Sequence, residues 1–369
     1  MVIRIANAFQ PDGTFRVTDI FLADGKFVES SAGETVDADG LFAIPGLVDL
    51  HFHGCVGYDF CDGSQEAISA IAKYEASVGV GAICPATMTY PEDKIGQIAD
   101  AAAAYHTEED GAELVGINME GPFIAAAKKG AQNAAYLHAP DAEMFRRSQQ
   151  RAGGLFKLCD IAPEVEGGLD CIQSLAGEVR VSLAHTASDY DTAKAAFEAG
   201  AKQVTHLYNA MQPYSHRAPG LIGAACDFAE SVELIADGVH VHPAAVRLTF
   251  RAFGDHRVIL ISDSMMATGM PDGEYSLGGQ AVHVSGNLAT LADGTIAGSA
   301  TNLLDCMRTA VRKMGVPLGS AVKAASTNPA KALGLYDRFG SIEPGKTANL
   351  LLLDESLEVK SIFLRGKRI

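Results

Sequence analysis

The chain has 369 residues, 48% hydrophobic and 20% charged, enough for a large core in one barrel with an appendage or in two ordinary domains. A formal net charge of −16 argues against a general nucleic-acid or anionic-membrane binder, so any anionic substrate must be received by a local site. Seven scattered cysteines without a CxxC pair, no secretory pattern at Met1 and no apolar run long enough to span a bilayer give the expectation of a soluble cytoplasmic protein.

From the N-terminus, residues 1–43 alternate short β-like runs (Val2 to Ile5, Phe15 to Phe21, Lys26 to Val28) with Asp-Gly and Ala-Gly-Glu turns. Residues 340–369 repeat that character, so the two ends together predict one small β-sandwich domain. Between them, over 44–339, strand-like and helical segments alternate. Strand-like runs are Ile44 to Leu50, Ala82 to Met88, Leu114 to Met119, Phe156 to Ala162, Val179 to Ala184, Gln203 to Thr205, Val232 to Ala236 and Arg257 to Ser262. Gln65 to Val78, Lys94 to Tyr105 and Tyr190 to Ala199 carry apolar residues at helical spacing. Eight such units predict an α/β fold, a (β/α)8 TIM barrel with its active site at the C-terminal ends of the strands. Tyr275 to Ala292 predicts a hairpin excursion. A doubly wound sheet is the rival, but no Gly-rich dinucleotide loop follows the first strand.

Polar residues then fall at strand ends. His51 and His53 close the first run, one residue apart, so both imidazoles leave the same face, poised for a divalent metal. Glu120 ends the third run, His185 the fifth and His206 the sixth. His240 follows the seventh, and Asp263 ends the eighth. In a barrel these positions converge on one mouth.

The segment Pro45-Gly-Leu-Val-Asp-Leu-His-Phe-His-Gly54 resembles the start of the amidohydrolase superfamily barrel. Met119-Glu-Gly-Pro-Phe123, Ala184-His-Thr186, Thr205-His-Leu-Tyr-Asn-Ala-Met211, Ala236-Asp-Gly-Val-His240 and Ser262-Asp-Ser-Met-Met-Ala-Thr-Gly269 together resemble the N-acetylglucosamine-6-phosphate deacetylases of that superfamily. The resemblance runs nearly end to end, including Gly340-Ser-Ile-Glu-Pro-Gly-Lys-Thr-Ala-Asn-Leu350.

Glu120, His185 and His206 form a carboxylate-plus-two-imidazole set, suited to a catalytic Zn2+ or Fe2+ that keeps a water position open. The resemblance implies a second ion on His51 and His53 with Glu120 as the bridge, hence one or two ions per subunit. Some relatives replace that histidine pair with amides and work with one metal. It also implies that Asp263 is the acid/base, that His240 is a neutral donor to the oxyanion, and that Asn209, the Ala210 amide and Arg217 grip a 6-phosphate.

Where relatives place a sugar-contacting histidine twelve residues after the glutamate, this chain has Gln132, which hydrogen-bonds but carries no proton. His216 and His242 read as loop histidines, and Lys128-Lys129 as a solvated loop face. Pro163-Glu164 reads as a turn or pocket wall, and Met265-Met266 as core or pocket wall.

The expectation is a metal-dependent hydrolase removing acetyl from N-acetylglucosamine 6-phosphate, a small-molecule amino sugar phosphate. The resemblance implies a homodimer whose partner closes the phosphate end of the site. The alternatives are the galactosamine epimer, a cyclic-amide hydrolase of the same superfamily and a metal-free binding barrel.

Overall fold

The computed structural model describes all 369 residues and shows a mixed α/β fold centred on a curled parallel sheet. Its strands follow chain order: Leu47–Asp49, Val80–Ile83, Glu113–Leu114 resumed by Ile117–Met119, Phe156–Ile161, Arg180–Leu183, Gln203–Val204, Ser231–Ile235 and Val258–Ile261. A bridge between Ala86 and Asn118 carries the sheet across its interrupted third strand. The Asp263 amide donates to the His51 carbonyl (3.0 Å), which joins the ends of the last and first strands.

Each strand position is followed by a helix: Gln65–Ser77, Glu92–Ala104, Ala142–Arg151, Gly168–Leu175, Tyr190–Ala199, Gly220–Phe228, Pro243–Phe253 and Leu303–Arg312. None is long and apolar enough to cross a membrane.

Period-two burial accounts for the sheet. Val48, Leu50, Ala82, Cys84, Ile259 and Ile261 pack into one inner cluster, while Leu47, Val80, Ile83, Val258 and Leu260 join the larger core shared with the helices. Burial on both faces is why these strands read as nearly continuous apolar runs. The helices start where side chains satisfy free amides. Ser64 accepts from the Ala67 amide and Asp189 from the Thr192 amide. Glu92–Ala104 begins two residues before the expected Lys94, because Pro91 sets its entry and Glu92 and Asp93 suit a first helical turn.

Both chain ends enter a second sheet. Lys367–Arg368, Val359–Leu364, Leu350–Leu353, Phe42–Pro45, Val2–Phe9, Phe15–Ala23 and Lys26–Val28 lie side by side, with Thr35–Asp37 also on Val2–Phe9. Ile3, Ile20, Leu22, Phe27, Leu350, Leu352 and Phe363 form its own apolar cluster. The expected excursion is a three-stranded antiparallel ribbon, Gly273–Leu277, Gln280–Ser285 and Leu288–Thr290.

One expected strand divides. Ile44 to Leu50 reads as continuous, but Phe42–Pro45 pairs with Leu350–Leu353 in the terminal sheet, and only Leu47–Asp49 enters the curled one. The break is Gly46, whose amide donates to the Asn349 carbonyl (2.8 Å). A Cβ at Gly46 would lie 2.6 Å from the Asn349 Cβ, an atom fixed to the backbone. Gly46→Ala is therefore expected to cost about 1–3 kcal/mol by overpacking. A lowered thermal midpoint would register it, whereas an unchanged one would mean that the two sheets slide apart freely. Likewise Ala82 to Met88 stops being strand after Ile83, because Pro85 offers no amide to the ladder.

Candidate active site

The ends of the parallel strands bring the sequence candidates together. Strand-end backbone bonds fix the first pair: the His53 amide donates to the Ser264 carbonyl (2.7 Å) and the Ala86 amide to the Phe52 carbonyl (2.7 Å). Glu120 leaves Ile117–Met119 directly before Gly121, whose φ of 86° suits glycine. A Cβ there would lie 2.1 Å from the Thr89 hydroxyl oxygen. Five of the ten non-glycine residues with positive φ lie in the site loops: His185 (45°), His206 (29°), Tyr208 (80°), Ala210 (51°) and Asp263 (49°). Backbone strain of about 1–3 kcal/mol per residue persists where surrounding packing over-determines it, and such residues gather at active sites.

Glu120 is the hub. Its Oε1 lies 3.0 Å from His185 Nε2, 3.2 Å from His206 Nε2 and 3.6 Å from His51 Nε2, and its Oε2 lies 3.3 Å from His53 Nε2. Asp263 Oδ1 completes the group, 3.3 Å from His53 Nε2 and 3.8 Å from His51 Nε2. All of these side chains are buried. Two overlapping ligand sets result, His51, His53 and Glu120, and Glu120, His185 and His206.

The tautomers decide what this arrangement wants. His185 Nδ1 donates to the Lys128 carbonyl (2.9 Å), and His51 Nδ1 donates to the Glu233 carboxylate (2.9 Å). In the neutral rings the Nε2 atoms therefore carry lone pairs, aimed at carboxylate oxygens. His185 and His206 also face each other Nε2 to Nε2 at 3.1 Å, and His51 Nε2 is buried without a hydrogen-bond partner. Lone pairs converging on a buried carboxylate are met by a shared cation or by protons, and the donor set fits one or two divalent metal ions.

Titration points the same way. Burial works against charge on His51, yet Glu120 and Glu233 overcome it and hold its pKa well above the ordinary histidine value. Burial likewise opposes charge on Glu120, but His51, His185 and His206 keep its carboxyl well below the usual range. A proton and a metal ion compete for the same nitrogens, so acid displaces the ion.

Asp263 is buried too, and His53 and His51 outweigh that burial and lower its pKa. His240 Nδ1 donates to Asp237 Oδ2 (2.7 Å), while Asp237 Oδ1 accepts from the Val239 and His240 amides. Asp237 raises the His240 pKa against the effect of burial. With Nδ1 donating to a carboxylate, a neutral His240 presents a lone pair at Nε2, and the ring donates from Nε2 as the imidazolium.

A cavity of about 390 Å3 opens beside the centre. His53, Glu120, His185, His206, His240, Asp263, Asn209, Ala210 and Gln132 all line it. Its one lysine or arginine is Lys128, half-buried, with Nζ donating to the Met211 carbonyl (3.2 Å) beside Ala210. That replaces the expectation of a solvated pair at Lys128-Lys129. Arg217 stands apart on an exposed loop, lining a neighbouring depression with Ser215 and Asp189.

Gln132 is 2% exposed, its Oε1 accepting from the Thr89 amide (2.7 Å) and its Nε2 donating to Glu120 Oε2 (2.9 Å). His216 is exposed, and exposed His242 caps the helix Pro243–Phe253. Glu164 bonds the Thr186 hydroxyl beside His185. Met265 is core, and all seven cysteines are unpaired.

Sequence reasoning missed the supports. Glu233, fully buried, holds His51 Nδ1 and accepts from Gln203 Nε2 (2.6 Å). A lone acid inside the apolar run Val232 to Ala236 was the available signal. Asp237 stood inside a quoted motif, three residues before His240, a spacing that allows such a pair. The Lys128 carbonyl left no signal, because any residue offers one.

Known proteins share this architecture. Residues 42–369 match the amidohydrolase family. The N-acetylglucosamine-6-phosphate deacetylase of Bacillus subtilis (strain 168) is 39% identical over 88% of this chain and 83% of its own length. An N-acetylgalactosamine-6-phosphate deacetylase of Escherichia coli O157:H7 is 34% identical over 99% of this chain and 98% of its own. The N-acetyl-D-glucosamine-6-phosphate deacetylase of Mycobacterium smegmatis, solved as an aspartate-to-alanine mutant with N-acetyl-D-glucosamine-6-phosphate, superposes with a TM-score of 0.92 at 30% identity, covering 100% of this chain and 98% of that one.

Proposed function

The chain belongs to the amidohydrolase family, and we propose that it hydrolyses the acetamide of N-acetylglucosamine 6-phosphate to acetate and glucosamine 6-phosphate. The observation that carries this reading is the joining of Glu120, His53, His185, His206 and Asp263 on one cavity wall, with His51 buried behind them and Lys128, Asn209 and Ala210 lining the same space.

In the proposed reaction Asp263 accepts a proton from the attacking water as its oxygen bonds to the acetyl carbon. The protonated Asp263 then gives that proton to the amine nitrogen as the C–N bond breaks. The His240 imidazolium donates from Nε2 to the carbonyl oxygen, which gains charge in the tetrahedral state, and Asp237 keeps that ring oriented. Glu120 with His185 and His206, and with His51 and His53, would hold one or two divalent ions, Zn2+ or Fe2+. Such an ion polarises a carbonyl and brings the pKa of water down to roughly 7.

The same reading takes the curled sheet and its helices as a (β/α)8 barrel over 44–339. Residues 1–43 and 340–369 then form a small β-sandwich domain, with the strand Phe42–Pro45 on its side of the join. Asn209 and the Ala210 amide of one copy take the 6-phosphate together with Arg217 of a second copy. Arg217 sits outside this chain's own cavity, which supports a homodimer in which a second copy brings a cation to the phosphate end. Seven unpaired cysteines support a reducing, cytoplasmic setting. The galactosamine epimer remains the second reading, favoured by the Escherichia coli relative. A cyclic-amide substrate has no use for Lys128, and a binding module has none for a full ligand set.

Acetate release tests the assignment, using both epimeric phosphates and unphosphorylated N-acetylglucosamine, with and without a chelator. Chelator-sensitive release from the glucosamine phosphate above the other two is expected. No release from a metal-replete sample would sink the substrate. Lys128→Met keeps the carbonyl that holds His185 and removes the ammonium. We expect KM for the phosphorylated sugar to rise about tenfold or more, the loss of one charge-assisted hydrogen bond. An unchanged KM would leave Lys128 without a part in phosphate binding.

A further inference from the structure

We propose that Gln132 is a positioning residue for Glu120 and acts on metal affinity, rather than serving as the sugar contact that relatives place there with histidine. This rests on the metal-centre reading above, and not on the identity of the sugar. The side chain makes a hydrogen bond at each end. Its Oε1 accepts from the Thr89 amide at 2.7 Å, which settles which end is oxygen, and its Nε2 then faces Glu120 Oε2 at 2.9 Å. Glu120 is the one carboxylate common to both ligand sets, so a bond that fixes its plane fixes both sets at once.

Other features direct the bond. With Oε2 held by the amide, Oε1 is presented to His185 and His206 at 3.0 and 3.2 Å, while the second lone pair of Oε2 still faces His53 at 3.3 Å. Gly121 lets the chain turn against Thr89, and a side chain there would push away the residue whose amide anchors Gln132. Glutamine also differs from histidine in kind. It donates to a carboxylate at any working pH and cannot lose or gain a proton. Outer partners of this type orient the ligand, and their loss typically weakens metal binding 10- to 100-fold.

The test is Gln132→Met, which keeps the volume and removes both polar ends, with Gln132→Ala as a second variant whose vacated space admits water to the Thr89 amide. Zn2+ affinity is measured by competition with a chromophoric chelator on apoprotein whose fold is checked by circular dichroism. KM is measured on the Zn2+-saturated protein. We expect Zn2+ to bind about 10- to 100-fold more weakly, with KM within about twofold of the parent. Unchanged Zn2+ affinity in a folded variant overturns the proposal, and a raised KM beside it would return Gln132 to the sugar. If the parent releases no acetate, the substrate reading fails while the affinity measurement still decides this one.

Discussion

Asp263→Asn is expected to lower kcat by about 10^2- to 10^4-fold, the usual range for removing a positioned acid/base, while metal content stays near that of the parent. Asparagine matches the shape of aspartate and keeps an oxygen that accepts, but it neither takes a proton from water nor returns one to nitrogen. His53 and His51 hold the Asp263 carboxyl below its ordinary pKa, so the base is ionised at neutral pH. The sign follows: the working form is present above that pKa and is lost as pH falls through it. The parent's acid limb therefore combines loss of this ionised form with displacement of the ion by protons on the histidines, and in the variant only the second contribution remains. Asp263 Oδ1 also stands 3.3 Å from His53 Nε2, close enough to share an ion. Metal analysis beside kcat separates the roles, because a rate that falls only in proportion to lost metal would make Asp263 a ligand and leave the proton transfers unassigned.

How much of this was legible in the sequence depends on how local the cause is. Residues that end an apolar run announce themselves, because a buried strand tolerates no unpaired histidine or carboxylate until its end. His51, His53, Glu120, His185, His206 and Asp263 were all found in that way. The helix Tyr190–Ala199 was legible to the residue, since Asp189 and Gly200 are local start and stop signals. The break at Gly46 was not, because its cause is Asn349, some three hundred positions away at the start of the strand Leu350–Leu353. Glu233 stayed hidden because it sits inside a strand, and its partner His51 lies 182 positions earlier. The tautomer of His240 is not legible either, because it depends on Asp237, which the sequence shows only as part of the motif Ala236-Asp-Gly-Val-His240.

Glu120→Gln should show how far the centre works as one unit. The substitution keeps size and one accepting oxygen but removes the charge, and the new NH2 points its hydrogens at His185 and His206 or at His53. Either orientation sets a donor where an ion would sit. Both ligand sets share this residue, so the variant is expected to lose affinity at both positions, and kcat should fall about a thousandfold, equivalent to roughly 4 kcal/mol of lost charge stabilisation. His53→Asn reaches only one set. It should release at most one ion per chain and leave the Glu120, His185 and His206 set able to bind, in line with the amides that some relatives carry at the first strand. Ion counts from elemental analysis of the two variants therefore diverge if Glu120 bridges, and coincide if each position is held independently. The double variant Glu120→Gln with Asp263→Asn should be scarcely slower than the worse single one, because a proton acceptor has little to act on once water is no longer acidified beside it. Additive losses would mean that Asp263 and Glu120 serve separate steps.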